Sequence, residues 1–389
     1  MQSIQQTFQI TYTYGVYFTE HLFGLSNPEL KTFFKAIPSE GFERKALVVI
    51  DQGVANCHPN LTNEIQAYFQ QQVSGVTLSG PALMVPGGEA SKNNPAHFNT
   101  IIEAIDQQGI DRHSFVIAIG GGAVLDLVGY AAAVAHRGIK LIRIPTTVLA
   151  QNDSGVGVKN SINFQGKKNF LGTFAPPIAV FNDYHFLGTL EDRDWRGGVA
   201  EAIKVALIKD SVFFEWIEQN VAKLVARDQE TMSYLIFRCA QMHTDHIAGG
   251  DPFEFGSSRP LDFGHWAAHK LEYLTNFEVR HGEAVAMGIA LDCVYAHLAG
   301  MLPANDLNRI LQVLQGLGFT LYHDRLSENN KINLKNGIQE FREHLGGRLT
   351  IMLLEKIGQG VEVHHLDEAL ISLAVDHLEG LHLKSLSYP

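Results

Sequence analysis

The chain has 389 residues, of which 46% are hydrophobic and 18% charged, and its formal net charge is −11. This length exceeds what one hydrophobic core normally organises, so we expect a well-packed protein of two domains. The acidic balance, without a dense run of Lys and Arg, argues against a nucleic-acid partner, and three scattered cysteines argue against a disulfide framework or a thiolate zinc site. The first residues lack the pattern of a secretory signal, and the longest apolar stretch, about 284–302, contains Asp292 and His297. We therefore expect a cytoplasmic protein without a membrane span.

The first half of the chain alternates short β-branched runs with helical stretches. Strands are predicted at 46–51, 115–120 and 141–145, and helices such as 99–108 and 124–135 lie between them. This alternation predicts an α/β domain with a doubly wound parallel sheet that is covered by helices on both faces.

The second half follows a helical pattern. Apolar residues recur with a period of about 3.6 from Trp195 onward, in segments at 199–209, 212–226, 231–246, 265–273 and 283–299. The boundary is predicted near 181–195, where short polar and glycine-containing stretches interrupt the pattern. We expect an α/β domain over residues 1–187 and a mostly α-helical domain over residues 188–389.

Three consecutive glycines, 120–122, lie between a predicted strand and a predicted helix. Glycines in this position let the backbone approach a pyrophosphate and aim free N–H groups at it, although the pattern is GGG rather than GxGxxG. Asp51, at the end of the first strand, is equally well explained as a ribose ligand or as the N-cap of the next helix. The turn 86–92 offers Glu89 and Lys92, for which a solvated loop is the simpler interpretation.

A carboxylate and several histidines in the second half are spaced as metal ligands could be. Glu201 and Lys204 are three residues apart and His265 and His269 are four apart, so each pair shares a helix face. His281 comes from a separate segment. Imidazole and carboxylate ligands around one open position are typical of catalytic zinc. Spacing alone favours His265 with His269 as the ligand pair, but the chain has 18 histidines, so each is weak evidence.

Six motifs together resemble 3-dehydroquinate synthase and its sugar phosphate cyclase superfamily. They follow the family's order and spacing over about residues 46–300. In chain order they are IGGGAVLDLVG (119–129), PTTVLAQNDSGVGVK (145–159), GKKNFLGTF (166–174), AEAIK (200–204), FGHWAAH (263–269) and HGEAVA (281–286). The resemblance implies that family's fold and a lyase activity that depends on NAD and zinc.

The resemblance also implies roles for individual residues. Zinc, or Co²⁺ in its place, would be held by Glu201, His265 and His281, which leaves His269 to contact the substrate. The NAD site would comprise Asp51, Glu89, Lys92, Gly121, Gly122, Asp126, Thr146 and Thr147. The set that handles a phosphorylated sugar would comprise Asp153, Lys159, Lys168, Asn169, Lys204 and His269. Arg137 resembles an arginine that reaches the neighbouring subunit's substrate phosphate, which implies a homodimer.

The sequence departs from the family where 3-dehydroquinate synthase holds the substrate carboxylate with a lysine and an arginine. Here the lysine region reads Met242-His243-Thr244, and the arginine position falls on Ser258, with Arg259 displaced by one. Asp262 stands where the family has asparagine, and His344 stands where it has a lysine. A less cationic pocket favours a substrate without a carboxylate. The alternative is that Arg259 occupies the space of the missing arginine.

These departures resemble the 2-epi-valiolone synthase branch. We therefore favour sedoheptulose 7-phosphate as substrate and a valiolone-type cyclitol as product. The alternative is true 3-dehydroquinate synthase acting on 3-deoxy-arabino-heptulosonate 7-phosphate. A metal-dependent polyol dehydrogenase such as glycerol dehydrogenase shares the glycine loop, but the cations at 167–168 and 204 would have no phosphate to hold. A non-catalytic paralogue ranks lower still, because every metal ligand is present.

Overall fold

The computed structural model describes residues 2–38, 41–165, 167–249, 252–253, 262–344 and 349–387. The chain divides into two compact units, residues 1–146 with 157–185, and residues 147–156 with 186–389. The sequence predicted one boundary near residue 187. The structure differs in one respect, because the short segment 147–156 packs with the second unit. Among the described residues, no helix is long and apolar enough to cross a membrane.

The first unit is built on a parallel sheet with the order β1-β9-β6-β5-β2-β3, in which β4 also pairs with β2. Its strands are β1 (Gly15–Thr19), β2 (Lys45–Asp51), β3 (Thr77–Leu78), β4 (Leu83–Val85), β5 (Phe115–Gly120), β6 (Lys140–Pro145) and β9 (Ala179–Asp183). Its helices are α1 (Glu29–Ala36), α2 (Gln52–Cys57), α3 (Leu61–Gln72), α4 (Pro95–Gln107) and α5 (Gly122–Val134). The predicted strands at 46–51, 115–120 and 141–145 are confirmed as β2, β5 and β6. Their continuous apolar runs reflect burial on both faces, as in β5, where every residue is buried.

The strand order places a topological switch point between β2 and β5. From β2 the chain passes to β3 and β4 on one side, and then returns to β5 on the other side. Ligands of open α/β sheets bind outside the carboxyl ends of the strands at such a point. Asp51 ends β2 and the glycines follow β5, so both residue sets flank the switch point. This arrangement is the predicted doubly wound sheet.

An antiparallel hairpin of β7 (Lys159–Phe164) and β8 (Lys167–Phe174) completes the first unit. The sequence did not predict it, because its strands carry many polar residues and lack a clean alternation. The hairpin is fastened to α5 at Gly129, where an added Cβ would lie 1.8 Å from Asn160 Oδ1. Only glycine leaves room for this contact.

The second unit is mostly helical, as predicted. Its helices are α6 (Asp192–Lys209), α7 (Ser211–Val225), α8 (Gln229–Ala248), α9 (His265–Leu274), α10 (His281–Leu298), α11 (Ala304–Gly316), α12 (Ile332–His344) and α13 (Glu368–Ser387). The exception is an antiparallel hairpin, β10 (Ile351–Lys356) with β11 (Gln359–Val363), which was not predicted. Helix α10 is buried from Ala284 to Ala296 and contacts α6, α9, α11 and α13. The apolar stretch predicted at 284–302 is thus a core helix that ends at Leu298.

Candidate active site

The glycine loop connects β5 to α5 through a close backbone approach. Gly121 is the N-cap residue of α5, and Gly122 is its first residue. The Thr146 N–H donates to the Gly120 carbonyl at 3.0 Å, and a Cβ on Gly120 would lie 2.9 Å from that of Val124. The first N–H groups of α5 have no partner within the helix, so the loop has the features of an anion site at a helix N-terminus.

Asp51 caps the helix that follows it. Its carboxylate accepts a hydrogen bond from the Gly53 N–H at 2.8 Å. Burial raises the pKa of Asp51, against the opposing effect of the N–H groups of Gly53, Val54 and Gly121. A Cβ on Gly87 would lie 2.5 Å from the same carboxylate. Of the two interpretations of Asp51, the hydrogen bonds within this chain therefore support the N-cap.

Lys92 is the centre of a buried polar network, so its interpretation as part of a solvated loop was wrong. The side chain is only 2% exposed and donates to Asp126 Oδ2 at 2.8 Å, to Ser161 Oγ at 3.1 Å and to Asn169 Oδ1. Glu89 Oε1 is 3.8 Å from the ammonium. Three residues predicted to contact NAD or substrate, Glu89, Asp126 and Asn169, are thus held together by the Lys92 cation, which balances the nearby carboxylates.

Arg143 fixes the start of the β7–β8 hairpin. This fully buried guanidinium donates to the carbonyls of Gly157 at 2.7 Å and Lys159 at 2.8 Å, and to Asn160 Oδ1 at 2.6 Å. Lys159 itself is exposed, and Lys168 on β8 is half-buried. Arg143 was not among the predicted site residues, although a charged residue inside a buried strand is a signal that the sequence offers.

Arg137 lies at the end of the first unit's sheet opposite the glycine loop. It precedes β6, whereas the glycines follow β5. Arg137 is exposed, and its φ of 62° follows a φ of 50° at His136. Consecutive left-handed residues other than glycine cost conformational energy, a cost that typically accompanies functional positions.

In the second unit, Glu201, His265 and His281 converge into a group able to hold a metal ion. Glu201 Oε1 is 3.5 Å from His265 Nε2 and 3.3 Å from His281 Nε2. Tetrahedral ligands about 2.1 Å from one ion lie ~3.4 Å apart, so these separations suit a divalent cation. The Glu201 carboxylate is fully buried, and neither of its oxygens accepts a well-directed hydrogen bond from the described part of the chain.

Both histidines are oriented through their other ring nitrogen. His265 Nδ1 is 3.0 Å from the Phe263 carbonyl, and His281 Nδ1 is 3.1 Å from Glu272 Oε2. A carbonyl and a carboxylate only accept, so both Nδ1 atoms carry the proton and both Nε2 atoms present their lone pairs to a metal. Ligand histidines are typically fixed in this way. Glu272 was not among the predicted site residues, although it stands three residues after His269.

Close contact between backbones brings these ligands together. A Cβ on Gly282 of α10 would lie 2.3 Å from the Gly197 carbonyl of α6. Gly282 follows His281, and Gly197 lies one helical turn before Glu201, so the contact places the two ligands near each other. The His265 segment is held similarly, because a Cβ on Gly288 would lie 1.9 Å from the Gly264 carbonyl.

Further charged residues connect to Glu201 through Lys204. Lys204 forms an ion pair with Glu201, and its Nζ is 3.5 Å from Asp153 Oδ2. Burial raises the pKa of Glu201, but the Lys204 ammonium and His265 outweigh it and hold that pKa well below its usual range. Burial lowers the pKa of Lys204, but Glu201 and Asp153 outweigh it and raise that pKa. The lysine is therefore a permanent cation.

Asp153 connects Lys204 to His243, a contact that the sequence analysis did not anticipate. His243 Nδ1 lies 3.0 Å from Asp153 Oδ1. Burial raises the pKa of Asp153, but Lys204 and then His243 contribute to an overall lowering. Asp153 lies in a π-helical turn, Ala150–Ser154, and such turns are frequent at functional sites. Thr147 precedes this turn, and its Oγ1 accepts from the Ala150 N–H at 3.1 Å.

His269 lies beside the metal-ligand group. Its ring centroid is 5.4 Å from that of His265 and 6.0 Å from that of His281. His269, Glu272 and His281 form a second group able to hold an ion. His281 Nδ1 is already bonded to Glu272 Oε2, so we favour the group that contains the buried Glu201.

The residues of the altered carboxylate pocket are only partly described. Asp262 is half-buried in the turn that precedes α9. Ser258, Arg259 and the side chain of His344 lie outside the described residues.

The sequence matches two family profiles over most of its length. They are 3-dehydroquinate synthase N-terminal over residues 82–197 and 3-dehydroquinate synthase C-terminal over residues 198–338. The chain is 31% identical over 335 residues to 3-dehydroquinate synthase of Pelobacter propionicus, with 86% of this chain and 90% of the relative covered. It is 32% identical over 352 residues to that of Aliivibrio fischeri, with 88% and 91% covered. The chain therefore belongs to the 3-dehydroquinate synthase family, and it is a ring-forming, phosphate-eliminating lyase.

Solved structures extend this result. ValA, a 2-epi-5-epi-valiolone synthase from Streptomyces hygroscopicus subsp. jinggangensis with NAD⁺ and Zn²⁺ bound, is 29% identical, with a TM-score of 0.86 over 97% of this chain and 100% of that chain. A 2-deoxy-scyllo-inosose synthase complexed with carbaglucose-6-phosphate, NAD⁺ and Co²⁺ is 22% identical, with a TM-score of 0.75 over 94% and 96%. A probable glycerol dehydrogenase from Sinorhizobium meliloti is 12% identical, with a TM-score of 0.60 over 96% and 99%. The last two likenesses are of fold alone. The resemblance to sugar phosphate cyclases is confirmed.

Proposed function

We propose that this sugar phosphate cyclase acts on a seven-carbon sugar phosphate without a carboxylate, with sedoheptulose 7-phosphate preferred and a valiolone-type cyclitol as product. The loss of cations where the family holds a carboxylate carries this proposal. Asp262 is half-buried three residues before His265, and His243 is bonded to Asp153. A substrate carboxylate would meet a like charge there instead of a guanidinium or an ammonium. The likeness to ValA supports the same substrate class.

The metal would be Zn²⁺, or Co²⁺, held by Glu201, His265 and His281. The buried Glu201 carboxylate and the two Nε2 lone pairs fit a divalent cation. When bound, the ion would polarise substrate hydroxyls, and NAD⁺ would accept and then return a hydride, without net oxidation.

The chain's own residues would bind the substrate and balance its charge. The Lys204 ammonium, fixed by Glu201 and Asp153, would stabilise negative charge that develops on substrate oxygens. The complete substrate set would be Asp153, Lys159, Lys168, Asn169, Lys204, Asp262, His269 and His344.

The first unit would bind NAD at the switch point of its sheet. The first N–H groups of α5, which have no partner within that helix, suit the pyrophosphate. Lys92 would keep Asp126 and Asn169 in fixed positions. The NAD set would be Asp51, Glu89, Lys92, Gly121, Gly122, Asp126, Thr146 and Thr147.

Arg137 would act on the substrate phosphate bound by a second copy of the chain, so that the enzyme is a homodimer. Its exposure, its left-handed backbone and its place at the opposite end of the sheet from the glycine loop support this role. An exposed arginine suits phosphate because its guanidinium forms bidentate hydrogen bonds.

True 3-dehydroquinate synthase remains the second candidate. The curated relatives that match at 31–32% identity over most of their length carry that name. Glycerol dehydrogenase activity has support from fold alone, at 12% identity.

The decisive experiment compares the two seven-carbon phosphates side by side with NAD⁺ and Zn²⁺. We expect sedoheptulose 7-phosphate to release inorganic phosphate without net NADH. Turnover of 3-deoxy-arabino-heptulosonate 7-phosphate alone would establish the second candidate. NADH accumulation with glycerol, without phosphate release from either sugar, would establish a dehydrogenase.

A further inference from the structure

A buried carboxylate, Asp292, lies in the core of the second unit and has no part in the proposed reaction. The residue is 1% exposed and belongs to α10, whose other buried residues carry no charge. Burial raises the pKa of Asp292 to about 7, and hydrogen bonds from Trp266 and Gly264 oppose this rise. Because a buried carboxylate costs free energy unless it is hydrogen-bonded, the partners of Asp292 indicate why an acid is kept there.

Both oxygens of Asp292 accept hydrogen bonds from the segment that begins α9. Oδ2 accepts from the Gly264 N–H at 2.9 Å, and Oδ1 accepts from the Trp266 indole N–H at 2.8 Å. The two donors directly precede and directly follow His265, one of the proposed metal ligands. One carboxylate therefore holds the chain on both sides of that ligand.

A single peptide group, between Phe263 and Gly264, connects Asp292 to the ring of His265. Its N–H donates to Asp292 Oδ2, and its carbonyl oxygen lies 3.0 Å from His265 Nδ1, which carries the proton. The peptide is trans, so its N–H and C=O point in opposite directions. Hydrogen bonds in such a chain polarise one another, so a carboxylate on the N–H makes the carbonyl a stronger acceptor. The ring is thereby held with Nε2 at 3.5 Å from Glu201 Oε1.

Close packing fixes Gly264 against α10. Gly264 is the N-cap residue of α9 and has a φ of 74°, a conformation that favours glycine. A Cβ on Gly288, one turn before Asp292, would lie 1.9 Å from the Gly264 carbonyl oxygen. Gly264 therefore meets the same face of α10 at its carbonyl and at its N–H. The helix that begins with His281 thus also determines where the segment of His265 lies.

We propose that Asp292 is a positioning residue for the metal centre, which orients His265 and strengthens its Nε2 as a ligand through the 263–264 peptide group. Carboxylate partners of ligand histidines fix the ring and raise its basicity. His281 has such a partner in direct contact, Glu272, whereas His265 reaches its carboxylate through one peptide group. The inference rests on the proposed ligand set and adds to it a residue that the family resemblance did not supply.

Asp292→Asn tests this role, with Val294→Ala as the matched control. Asparagine keeps the size of the side chain, but its amide turns a donor toward Gly264 or Trp266 in place of an acceptor. Val294 is buried two residues further along α10, so its truncation lowers stability without removing either hydrogen bond of Asp292. Urea unfolding measures the loss of stability in both variants.

The metal itself provides the readout. Each protein is stripped of metal and loaded with Co²⁺, whose visible absorption depends on the geometry of its ligands. Competition with a chromophoric chelator then gives the Zn²⁺ affinity. We expect Asp292→Asn to shift the Co²⁺ bands and to weaken Zn²⁺ binding about 10-fold, because His265 loses its fixed orientation. Val294→Ala should leave the spectrum and the affinity unchanged, even where it lowers stability as much.

Trp266→Phe provides a milder variant that keeps the test valid if Asp292→Asn does not fold. It removes one of the two donors and leaves the carboxylate and the Gly264 N–H in place. We expect shifted Co²⁺ bands and a loss of Zn²⁺ affinity smaller than that of Asp292→Asn.

The outcomes separate this inference from the proposed function. An unchanged spectrum and affinity in Asp292→Asn, or in Trp266→Phe where the first variant does not fold, would overturn the role of Asp292. Equal changes in Val294→Ala would overturn it as well. A wild-type Co²⁺ spectrum in Glu201→Gln would refute the ligand set and this inference together. Shifted bands in Asp292→Asn, with no turnover of either sugar by the wild type, would refute the proposed substrate alone and support the role of Asp292.

Discussion

Replacing Glu272 with glutamine should weaken metal binding without removing a metal ligand. The Glu272 carboxylate is 3% exposed and accepts from His281 Nδ1 at 3.1 Å. This contact keeps the proton on Nδ1 and directs the Nε2 lone pair toward Glu201. Glutamine has nearly the same size but no charge, and its amide can turn a donor toward Nδ1. The ring would then lose both its preferred tautomer and its orientation.

Loss of such a partner typically costs 10–100-fold in metal affinity. This factor corresponds to about 1.4–2.7 kcal/mol. The assay removes the metal, reloads the protein with Zn²⁺ and measures competition with a chromophoric chelator. The matched control is Glu278→Gln, which removes the same charge from an exposed position six residues away. We expect the control to bind Zn²⁺ as tightly as the wild type.

Two results would refute this reasoning. An unchanged affinity in Glu272→Gln would mean that the carboxylate does not position His281. Complete loss of binding would mean that Glu272 is itself a ligand, as in the second group, with His269 and His281. Two further variants separate these cases. If Glu201, His265 and His281 hold the metal, Glu201→Gln should lose it, and His269→Ala should keep the metal but lose turnover. If the second group holds the metal, Glu201→Gln should keep it and His269→Ala should lose it.

Three further changes, the first with a matched control, test other parts of the site. Gly282→Ala should lower stability by about 1–3 kcal/mol and reduce bound metal, measured by urea unfolding and metal analysis, because its Cβ would overlap α6. Gly380→Ala, where nothing lies within 4 Å of the added Cβ, should be neutral or stabilising. Lys92→Met should lower the free energy of unfolding, measured in urea, by about 1–3 kcal/mol, because partly buried carboxylates lose their cation. The same variant should bind NAD⁺ more weakly in titration calorimetry. Asp262→Asn should raise kcat/KM for the carboxylated heptulose phosphate at least ~10-fold and leave that for sedoheptulose 7-phosphate nearly unchanged. Equal effects on both sugars would contradict a charge clash at Asp262.

Local sequence predicted the elements whose burial pattern is regular. The strands β2, β5 and β6 are continuous apolar runs, and the predicted helices of the second unit follow the apolar period. The hairpins were missed because distant contacts decide them. In β7, Asn160 is buried against Gly129 of α5 and bonded to Arg143 of β6. Neither partner lies close to Asn160 in the sequence, so the local pattern could not indicate these contacts.

The candidate site was predictable where its residues share a helix. Spacing placed Glu201 with Lys204 and His265 with His269, but it favoured the wrong histidine pair for the group that contains Glu201. His281 entered through the family resemblance, and the structure brings it to 3.3 Å from Glu201. The contact of His243 with Asp153 joins residues 90 positions apart, and no local pattern marks it.

Glycines next to the ligands carry information that ligand spacing alone does not. Gly282 follows His281 directly, and Gly197 precedes Glu201 by one turn, and their backbones are in contact. Side chains at these two positions would push α6 and α10 apart, and Glu201 Oε1 and His281 Nε2, now 3.3 Å apart, would then exceed the ~3.4 Å that separates tetrahedral ligand atoms of one ion. Metal–ligand distances vary by only a few tenths of an ångström, so substitution of these glycines should disturb the site as much as substitution of a ligand. A search for sites of this kind should therefore look for helical glycines within one turn of each candidate ligand. In the candidate metal group, Gly197 and Gly282 lie within one turn of Glu201 and His281, and Gly264 is the N-cap residue directly before His265.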